Sequence, residues 1–321
     1  MRFVVIGPGA VGGTLAVRLV ASGRDVTVIA RGEHLTAIQA KGLELRDPGG
    51  ARVVRVKALD DPGAVDWSSE DIALLAVKSQ DTAAVLRRLA EVAPVELPLV
   101  CVQNGVTNEP EALRYFSHIY GAVVMCPTVH LRPGVVAAHS HPVPGILDVG
   151  RFPCGIDATT VAVAEGFEEA GFVSQPIDDL ARWKWAKLVT NLGNAIEALC
   201  GPAARSGRLG SMVTAEGYAV LAAAGIDHAS ADEDRQRRSN IMSLHPVDGE
   251  HRPGGSTWQS VSRGTATETD LLNGEIVRLA RLHGMRAPLN ELLQRLVREF
   301  GLTGTPPAAM TEEEVLAALA N

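Results

Sequence analysis

The feature that most constrains this chain is a glycine-rich turn between a short apolar strand and an apolar helix. The strand is predicted at Phe3 to Ile6, and Gly7, Gly9 and Gly12 in the following turn have the spacing G-x-G-x-x-G. A second apolar strand, Val26 to Ile29, follows the helix. Such a βαβ unit predicts a parallel sheet covered by helices, because parallel strands need a crossover connection and are buried on both faces.

In this context the turn is typical of a dinucleotide-binding loop. Gly7 allows a tight turn, Gly9 lets a pyrophosphate approach the backbone, and Gly12 lets the helix pack closely on the strand. The backbone N–H groups at the helix start, which include those of Ala10 and Val11, favour phosphate. A tight strand-to-helix turn without a ligand is the alternative.

The residue after the second strand bears on the choice between NAD and NADP. An NAD site usually has a carboxylate there, whereas this strand is followed by Ala30 and Arg31. A guanidinium is suited to a 2′-phosphate, so Arg31 favours NADP. The alternative is that Arg31 is a solvated loop residue and that Glu33 binds the ribose.

The remaining pattern predicts two domains in 321 residues. Alternating strands and helices predict a doubly wound α/β domain over residues 1–177, including a hairpin at 43–56 and a last strand at 172–177. Residues 178–321 are predicted to be mainly helical. The longest predicted helices are Leu180 to Leu199, Met212 to Ala224 and Trp258 to His283.

Composition excludes several classes of protein. A net charge of −7 argues against nucleic-acid binding. The first apolar run is too short for a secretory or membrane segment, which favours a cytoplasmic protein.

His139 and His141 have a metal-like spacing, but without a third candidate ligand we expect surface histidines and no metal. The charge run from Asp232 to Arg238 is expected to be solvated.

Polar side chains follow two predicted strands of the first domain. Lys78, Ser79 and Gln80 come after one strand, and Gln103, Asn104 and Gly105 come after the next. Ligands bind at the carboxyl ends of the strands in open α/β sheets, so both segments are candidates to line a cofactor or substrate. Ordinary surface turns are the alternative.

The second half contains a lysine in an apolar helix. Lys187 and Asn191 are four residues apart and share a helix face. A lysine there either extends to water or meets an anion, and Lys184 is a second candidate. Further along, Glu268 is predicted within the long helix. Ser256 is predicted to be the N-cap in a capping box, and the alternative is a hydroxyl at the helix N-terminus that binds a carboxylate.

Taken together, these segments resemble the ketopantoate reductase family. The resemblance is carried by Gly7 to Gly12, the two polar turns, Trp185-Ala186-Lys187-Leu188 with Asn191, and Ser256 followed by Glu268. It implies an amino-terminal Rossmann domain, a helical domain like that of 6-phosphogluconate dehydrogenase, and NADPH-dependent reduction of a small-molecule 2-oxo acid to a 2-hydroxy acid.

The resemblance also implies roles for individual residues. Lys187 would be the general acid, and Glu268 would orient the substrate. The other implied contacts are Asn191, Ser256 and Asn104 to the substrate and Lys78, Gln80 and Asn104 to the cofactor.

Two positions depart from the family pattern. The family has a second asparagine eight residues after the lysine, where this chain has Ala195, and an acidic residue four positions after the serine, where it has Ser260. On a continuous helix Asn194 would point about 100° away and could not replace that asparagine. Reduction of a different 2-oxo acid therefore stays an alternative. An NADPH-sensing protein without turnover is another alternative, and the oligomeric state is expected to be monomer or homodimer.

Overall fold

The computed structural model describes residues 1–319. The strands are β1 (Arg2–Ile6), β2 (Asp25–Ile29), β3 (Leu43–Asp47), β4 (Gly50–Val54), β5 (Lys57–Leu59), β6 (Asp71–Leu75), β7 (Leu99–Cys101), β8 (Ile119–Met125), β9 (Thr128–Arg132), β10 (Val135–Ala138), β11 (Ser140–Pro142), β12 (Ile146–Arg151) and β13 (Met242–Leu244). The α-helices are α1 (Ala10–Ala21), α2 (Gly32–Lys41), α3 (Thr82–Ala90), α4 (Asn108–Ala112), α5 (Ala158–Glu169), α6 (Leu180–Asn191), α7 (Gly193–Cys200), α8 (Arg208–Ala223), α9 (Ala231–Arg238), α10 (Ser256–Ser262), α11 (Asn273–Leu282), α12 (Pro288–Thr303) and α13 (Glu312–Leu319).

A seven-stranded sheet with the order β12-β8-β7-β6-β1-β2-β5 forms the centre of the amino-terminal part. The strand β1 pairs in parallel with β2 on one side and with β6 on the other. The chain therefore reverses its direction of progress across the sheet at β1. Ligands of open α/β folds bind at this switch point, and the glycine-rich turn follows β1 there.

Alternate residues of β1 belong to two separate cores. Phe3 and Val5 pack with α1 and α5 on one face, whereas Val4 and Ile6 pack with α3 on the other. This period of two is what a strand buried on both faces requires. The predicted hairpin at 43–56 is present as β3 and β4, which join a separate four-stranded sheet.

The chain divides into two compact units, and one chain segment returns to the first. The first unit comprises residues 1–183 and 232–252, and the second comprises 184–231 and 253–321. From the sequence, residues 178–183 and 232–252 were predicted to belong to the second domain instead. In the returning segment, β13 pairs antiparallel with β11, and Arg182 bonds Glu233 through two hydrogen bonds of 2.9 and 2.8 Å.

The returning segment contains the charge run from Asp232 to Arg238, and one of its residues pairs with a buried carboxylate. Arg237 lies in α9 and donates to the buried Asp148 carboxylate at 2.8 and 2.5 Å. The expectation of a wholly solvated stretch was therefore wrong. His139 was also predicted at the surface, but it is 3% exposed, with Nδ1 lying 3.2 Å from the His245 carbonyl.

Three predicted elements are interrupted in the structure. The helix predicted over 180–199 breaks at Leu192, and the one predicted over 258–283 divides into α10, a 3₁₀ turn at Thr269–Leu271 and α11. The strand predicted at 172–177 is reduced to two isolated bridges, at Val173 and Pro176. Within residues 1–319, the helices are all too short or too polar to cross a membrane.

Candidate active site

The glycine-rich turn is held by its own backbone. The Gly7 N–H donates to the carbonyl of Ile29 in β2 at 3.0 Å, and the Gly9 N–H donates back to the Gly7 carbonyl at 2.8 Å. The helix α1 then begins at Ala10, and its first bond runs from Gly13 to the Gly9 carbonyl at 2.7 Å. The N–H groups of the first turn have no partner inside the helix, so they can receive an anion.

The three glycines meet different requirements. Gly7 has a φ of +89°, and a Cβ there would lie 2.6 Å from Cγ1 of Val77. A Cβ at Gly12 would overlap the Gly7 carbonyl oxygen and lie 2.8 Å from the Ala76 Cβ. At Gly9, no atom of the described residues other than Gly9 and its two chain neighbours lies within 4 Å of an added Cβ, and φ is −73°. Packing does not require this glycine, whereas close approach of a pyrophosphate would.

The His34 side chain links the glycine-rich turn to the loop that contains Gly134. Its Nε2 lies 2.7 Å from the Pro8 carbonyl oxygen, and its Nδ1 accepts from the Gly134 N–H at 2.9 Å. Because Nδ1 accepts, the ring proton lies on Nε2 and is donated to Pro8. Burial lowers the pKa of His34, which favours this neutral ring. The sequence analysis missed His34, since its partners are distant along the chain.

A cavity of about 240 Å³ lies beside the glycine-rich turn. Its lining includes Gly7, Gly9, Arg31 and Arg88. Glu33 instead lines a different groove, next to Lys41 and Arg132. The cavity therefore carries the predicted guanidinium of Arg31, and the alternative ribose ligand lies elsewhere.

Arg88 is a second guanidinium at this cavity, and sequence analysis did not identify it. It binds the Asp61 carboxylate through Nη2 at 2.7 Å and Nε at 2.9 Å. These hydrogen bonds hold the pKa of Asp61 below its usual value. Arg88 thus has a fixed partner, and Arg31, at the exposed start of α2, adds to the positive charge that lowers the pKa of Asp61.

A buried polar network joins the two predicted turns. The Asn108 amide donates to the Asn104 carbonyl at 2.9 Å and to the Ser79 hydroxyl at 3.3 Å. Thr82 donates to Asn108 at 2.8 Å, and Gln103 donates to Thr82 at 2.9 Å. These residues fix the backbone on either side of the two turns. Asn108 and Thr82 were missed because buried polar side chains in helices give no periodic signal.

Lys78, Gln80 and Asn104 lie on the turns that this network fixes. Lys78 precedes a 3₁₀ turn at Ser79–Asp81 and is half-buried, as is Asn104, while Gln80 is exposed. Gly105 has a φ of +85°, which glycine adopts without strain. The structure therefore brings the Lys78 and Asn104 segments side by side within the first unit.

In the second unit, the predicted lysine and asparagine both lie on α6. Lys187 is half-buried, and Asn191 is 4% exposed. Lys184 is buried more deeply than Lys187, at 4% exposed. The three side chains fall on one helix face, since they are spaced three, four and seven residues apart. Burial alone does not select Lys187 over Lys184.

Ser256 is the first residue of α10 and not its N-cap. The N-cap is Gly255, so the predicted capping box was wrong. The Ser256 hydroxyl instead accepts from the Asn194 amide at 3.5 Å. The helix α6 ends at Asn191 and α7 begins at Gly193, and Asn194 reaches a predicted substrate contact. Ser260 bonds the Ser256 carbonyl at 3.0 Å.

Glu268 lies outside any α-helix, contrary to the prediction. It is half-buried and directly precedes the 3₁₀ turn at Thr269–Leu271, with its carbonyl accepting from the Leu271 N–H at 2.9 Å. Gly264, with a φ of +61°, ends the preceding α10 segment. That glycine was the available signal that a single helix could not run through this stretch.

Two family models match the chain. One, described as ketopantoate reductase PanE/ApbA, matches residues 3–153, and the corresponding C-terminal model matches residues 179–301. A 2-dehydropantoate 2-reductase from Halobacterium salinarum is 31% identical over 93% of this chain and 98% of its own length. Another, from Pyrococcus horikoshii, is 28% identical over 93% of this chain and 97% of its own.

Solved structures have the same fold. A PanE/ApbA family ketopantoate reductase from Ralstonia eutropha matches with a TM-score of 0.79 and 29% identity, over 95% of this chain and 99% of that one. D-mandelate dehydrogenase, solved with NADH and anilino(oxo)acetate, matches with a TM-score of 0.79 over 95% of this chain and 99% of that one; at 19% identity it shows the fold alone. The predicted fold class, a Rossmann-type α/β domain with a helical carboxyl-terminal part, is therefore confirmed. The chain belongs to the ketopantoate reductase family of oxidoreductases.

Proposed function

We propose that this protein reduces ketopantoate (2-dehydropantoate) to pantoate with NADPH, a step of pantothenate and coenzyme A biosynthesis. The observation that carries the proposal is similarity along both halves of the chain. Relatives named 2-dehydropantoate 2-reductase are 30% and 31% identical over 94% and 93% of it. The family models likewise match both the amino-terminal and the carboxyl-terminal part.

The first unit is proposed to bind the dinucleotide. The N–H groups of the turn from Gly7 to Gly12, including those of Ala10 and Val11, suit a pyrophosphate, and Gly9 leaves room for it. Lys78, Gln80 and Asn104 are proposed to line the nicotinamide end.

NADPH is favoured over NADH by the cavity beside this turn. Arg31 lines it together with Gly7 and Gly9, whereas Glu33 does not belong to its lining. A guanidinium binds a phosphate through parallel hydrogen bonds, and it cannot accept one from a ribose hydroxyl. These residues therefore fit a 2′-phosphorylated cofactor better than NADH.

The second unit is proposed to supply the acid. When bound, NADPH supplies a hydride to the carbonyl carbon. Negative charge then develops on the carbonyl oxygen, where the Lys187 ammonium stabilises it and donates a proton. Glu268 orients the substrate, and Asn191, Ser256 and Asn104 hydrogen-bond it.

A second candidate function is reduction of a different 2-oxo acid. It is favoured by Ala195, which has no polar side-chain group. It is also favoured by Ser260, whose hydroxyl donates to the Ser256 carbonyl of its own helix. Sites built to bind hydroxyls discriminate strongly against analogues that leave polar groups unpaired. Altered polar positions therefore change substrate preference more readily than reaction type.

The testing experiment is a steady-state assay of NADPH and NADH oxidation with a panel of 2-oxo acids that includes ketopantoate. Ketopantoate should give the highest kcat/KM, and Arg31→Ala should weaken NADPH far more than NADH. A much higher kcat/KM for another acid would establish the second candidate. Tight NADPH binding without oxidation by any acid would instead indicate a sensor.

A further inference from the structure

The second unit contains a chain of polar side chains that ends at Ser256. Glu197 and Asn194 are each 6% exposed, and Arg205 lies between them. We propose that Glu197 and Arg205 are positioning residues, which fix the Asn194 amide so that Ser256 offers its proton to an anionic oxygen of the 2-oxo acid. The inference rests on the proposed function, in which Ser256 contacts the substrate.

Arg205 determines which way the Asn194 amide faces. Its Nη1 lies 3.0 Å from Asn194 Oδ1. A guanidinium only donates hydrogen bonds, so the amide atom facing it must be the oxygen. The amide nitrogen is thereby directed to the Ser256 hydroxyl oxygen, 3.5 Å away.

The direction of this contact sets the role of Ser256. A serine hydroxyl has one proton and two lone pairs, and here a lone pair receives the Asn194 N–H. The Ser256 proton is left to point at another acceptor. A carboxylate only accepts hydrogen bonds, so this polarity suits the carboxylate that an oxo acid and its hydroxy-acid product share.

Arg205 is itself held from three sides. Its Nη2 donates to the Thr190 carbonyl at 2.8 Å, and its Nη1 lies 3.4 Å from the Glu197 carboxylate. Its aliphatic part crosses Gly193, where a Cβ would lie 2.9 Å from Arg205 Cγ. Gly193 immediately follows the helix break at Leu192, so the break and this glycine together make room for the guanidinium.

The same cluster also touches the backbone that carries Ser256. A Cβ at Gly255 would lie 2.7 Å from Glu197 Oε2 and 3.4 Å from Asn194 Oδ1. Gly255 is the N-cap residue directly before Ser256. Both the hydroxyl and the backbone position of Ser256 are thus set by the Glu197–Arg205–Asn194 cluster.

The test is a double-mutant cycle between Arg205→Met and Ser256→Ala, assayed with ketopantoate and NADPH. A hydrogen bond that is made equally before and during the reaction lowers KM without raising kcat. We therefore expect Arg205→Met to raise KM for ketopantoate about tenfold while kcat changes by less than about twofold. In the Ser256→Ala background it should add nothing further, because it acts through Ser256. Arg281→Met, which removes an exposed ion pair with Glu291 in the same unit, is the control and should leave KM unchanged.

A second variant covers the case in which Arg205→Met does not fold. Asn194→Asp keeps the shape and the oxygen that faces Arg205 but removes the N–H that faces Ser256. It should raise KM to a similar extent, and an unchanged KM overturns the proposal. So does an Arg205→Met effect that adds in full to that of Ser256→Ala. A wild-type protein that reduces no 2-oxo acid would instead overturn the proposed function, and this inference with it.

Discussion

Gly9 and Gly12 lie in the same turn, but alanine should affect them in opposite ways. At Gly12 a Cβ would overlap the Gly7 carbonyl oxygen and lie 2.8 Å from the Ala76 Cβ, so β1 and α1 must move apart. Such overpacking typically costs about 1 to 3 kcal/mol of unfolding free energy. For a domain of this size, that corresponds to a fall of roughly 2 to 12 °C in Tm.

At Gly9 the methyl group meets no atom of the described residues within 4 Å beyond its own chain neighbours, so the free energy of unfolding should change by less than about 1 kcal/mol. The methyl would occupy the place where a pyrophosphate approaches. A clash of about 1.4 kcal/mol weakens binding tenfold, and we expect at least about that loss for NADPH.

The assay combines thermal melts without cofactor and fluorescence titration with NADPH. Gly301→Ala is the control, because beyond its chain neighbours and its own helix backbone its Cβ also meets no atom of the described residues within 4 Å, and it lies in α12, in the other unit. It should keep NADPH affinity and should not lower Tm, because alanine is more stable than glycine inside a helix by up to about 1 kcal/mol. Wild-type NADPH affinity in Gly9→Ala would refute the assignment of the pyrophosphate to this turn, and wild-type Tm in Gly12→Ala would refute the packing argument.

Three further predictions concern single side chains. Arg237→Met removes the cation beside the buried Asp148 carboxylate and should lower the unfolding free energy, measured in urea at neutral pH, by about 3 to 5 kcal/mol. Because burial raises the pKa of Asp148, the folded state favours its protonated form, and this loss should shrink as pH falls through that raised pKa. The lowered pKa of His34 means that the folded protein resists protonation there, so stability should decline as pH falls below the usual value of 6.5; His34→Gln should lose that part of the pH dependence. Lys187→Met should cut kcat by about 10² to 10⁴ with NADPH affinity unchanged, and normal turnover would remove Lys187 from the acid role.

Local sequence was sufficient for the glycine-rich turn and the strands around it. Phe3 to Ile6 and Val26 to Ile29 are continuous apolar runs, which fit strands covered on both faces, and both are present in the parallel sheet. The place of Arg31 beside the glycine-rich turn could be predicted because its position after the second strand follows from the topology, and its role toward the cofactor stays a prediction. The structure lines one cavity with Arg31 and the glycine-rich turn.

The helix breaks could not be predicted in the same way, because distant residues stabilise them. At the break, the Thr190 carbonyl accepts from Arg205 and the Leu192 carbonyl accepts from Asn273, at 2.8 and 3.3 Å. Those partners lie 15 and 81 residues away along the chain, so the apolar periodicity of residues 180–199 gives no sign of them. The contact of Asn194 with Ser256 was not predicted for the same reason, since the two residues are 62 positions apart in the chain.

The return of residues 232–252 to the first unit has a consequence for synthesis on the ribosome. The amino-terminal unit lacks the partner strand of β11 and the cation beside Asp148 until this segment has been translated. By then, residues 184–231 of the other unit have already been made. The nascent chain therefore cannot finish one unit before it starts the next, and any fragment that ends at residue 183 lacks the Arg237 cation that pairs with Asp148.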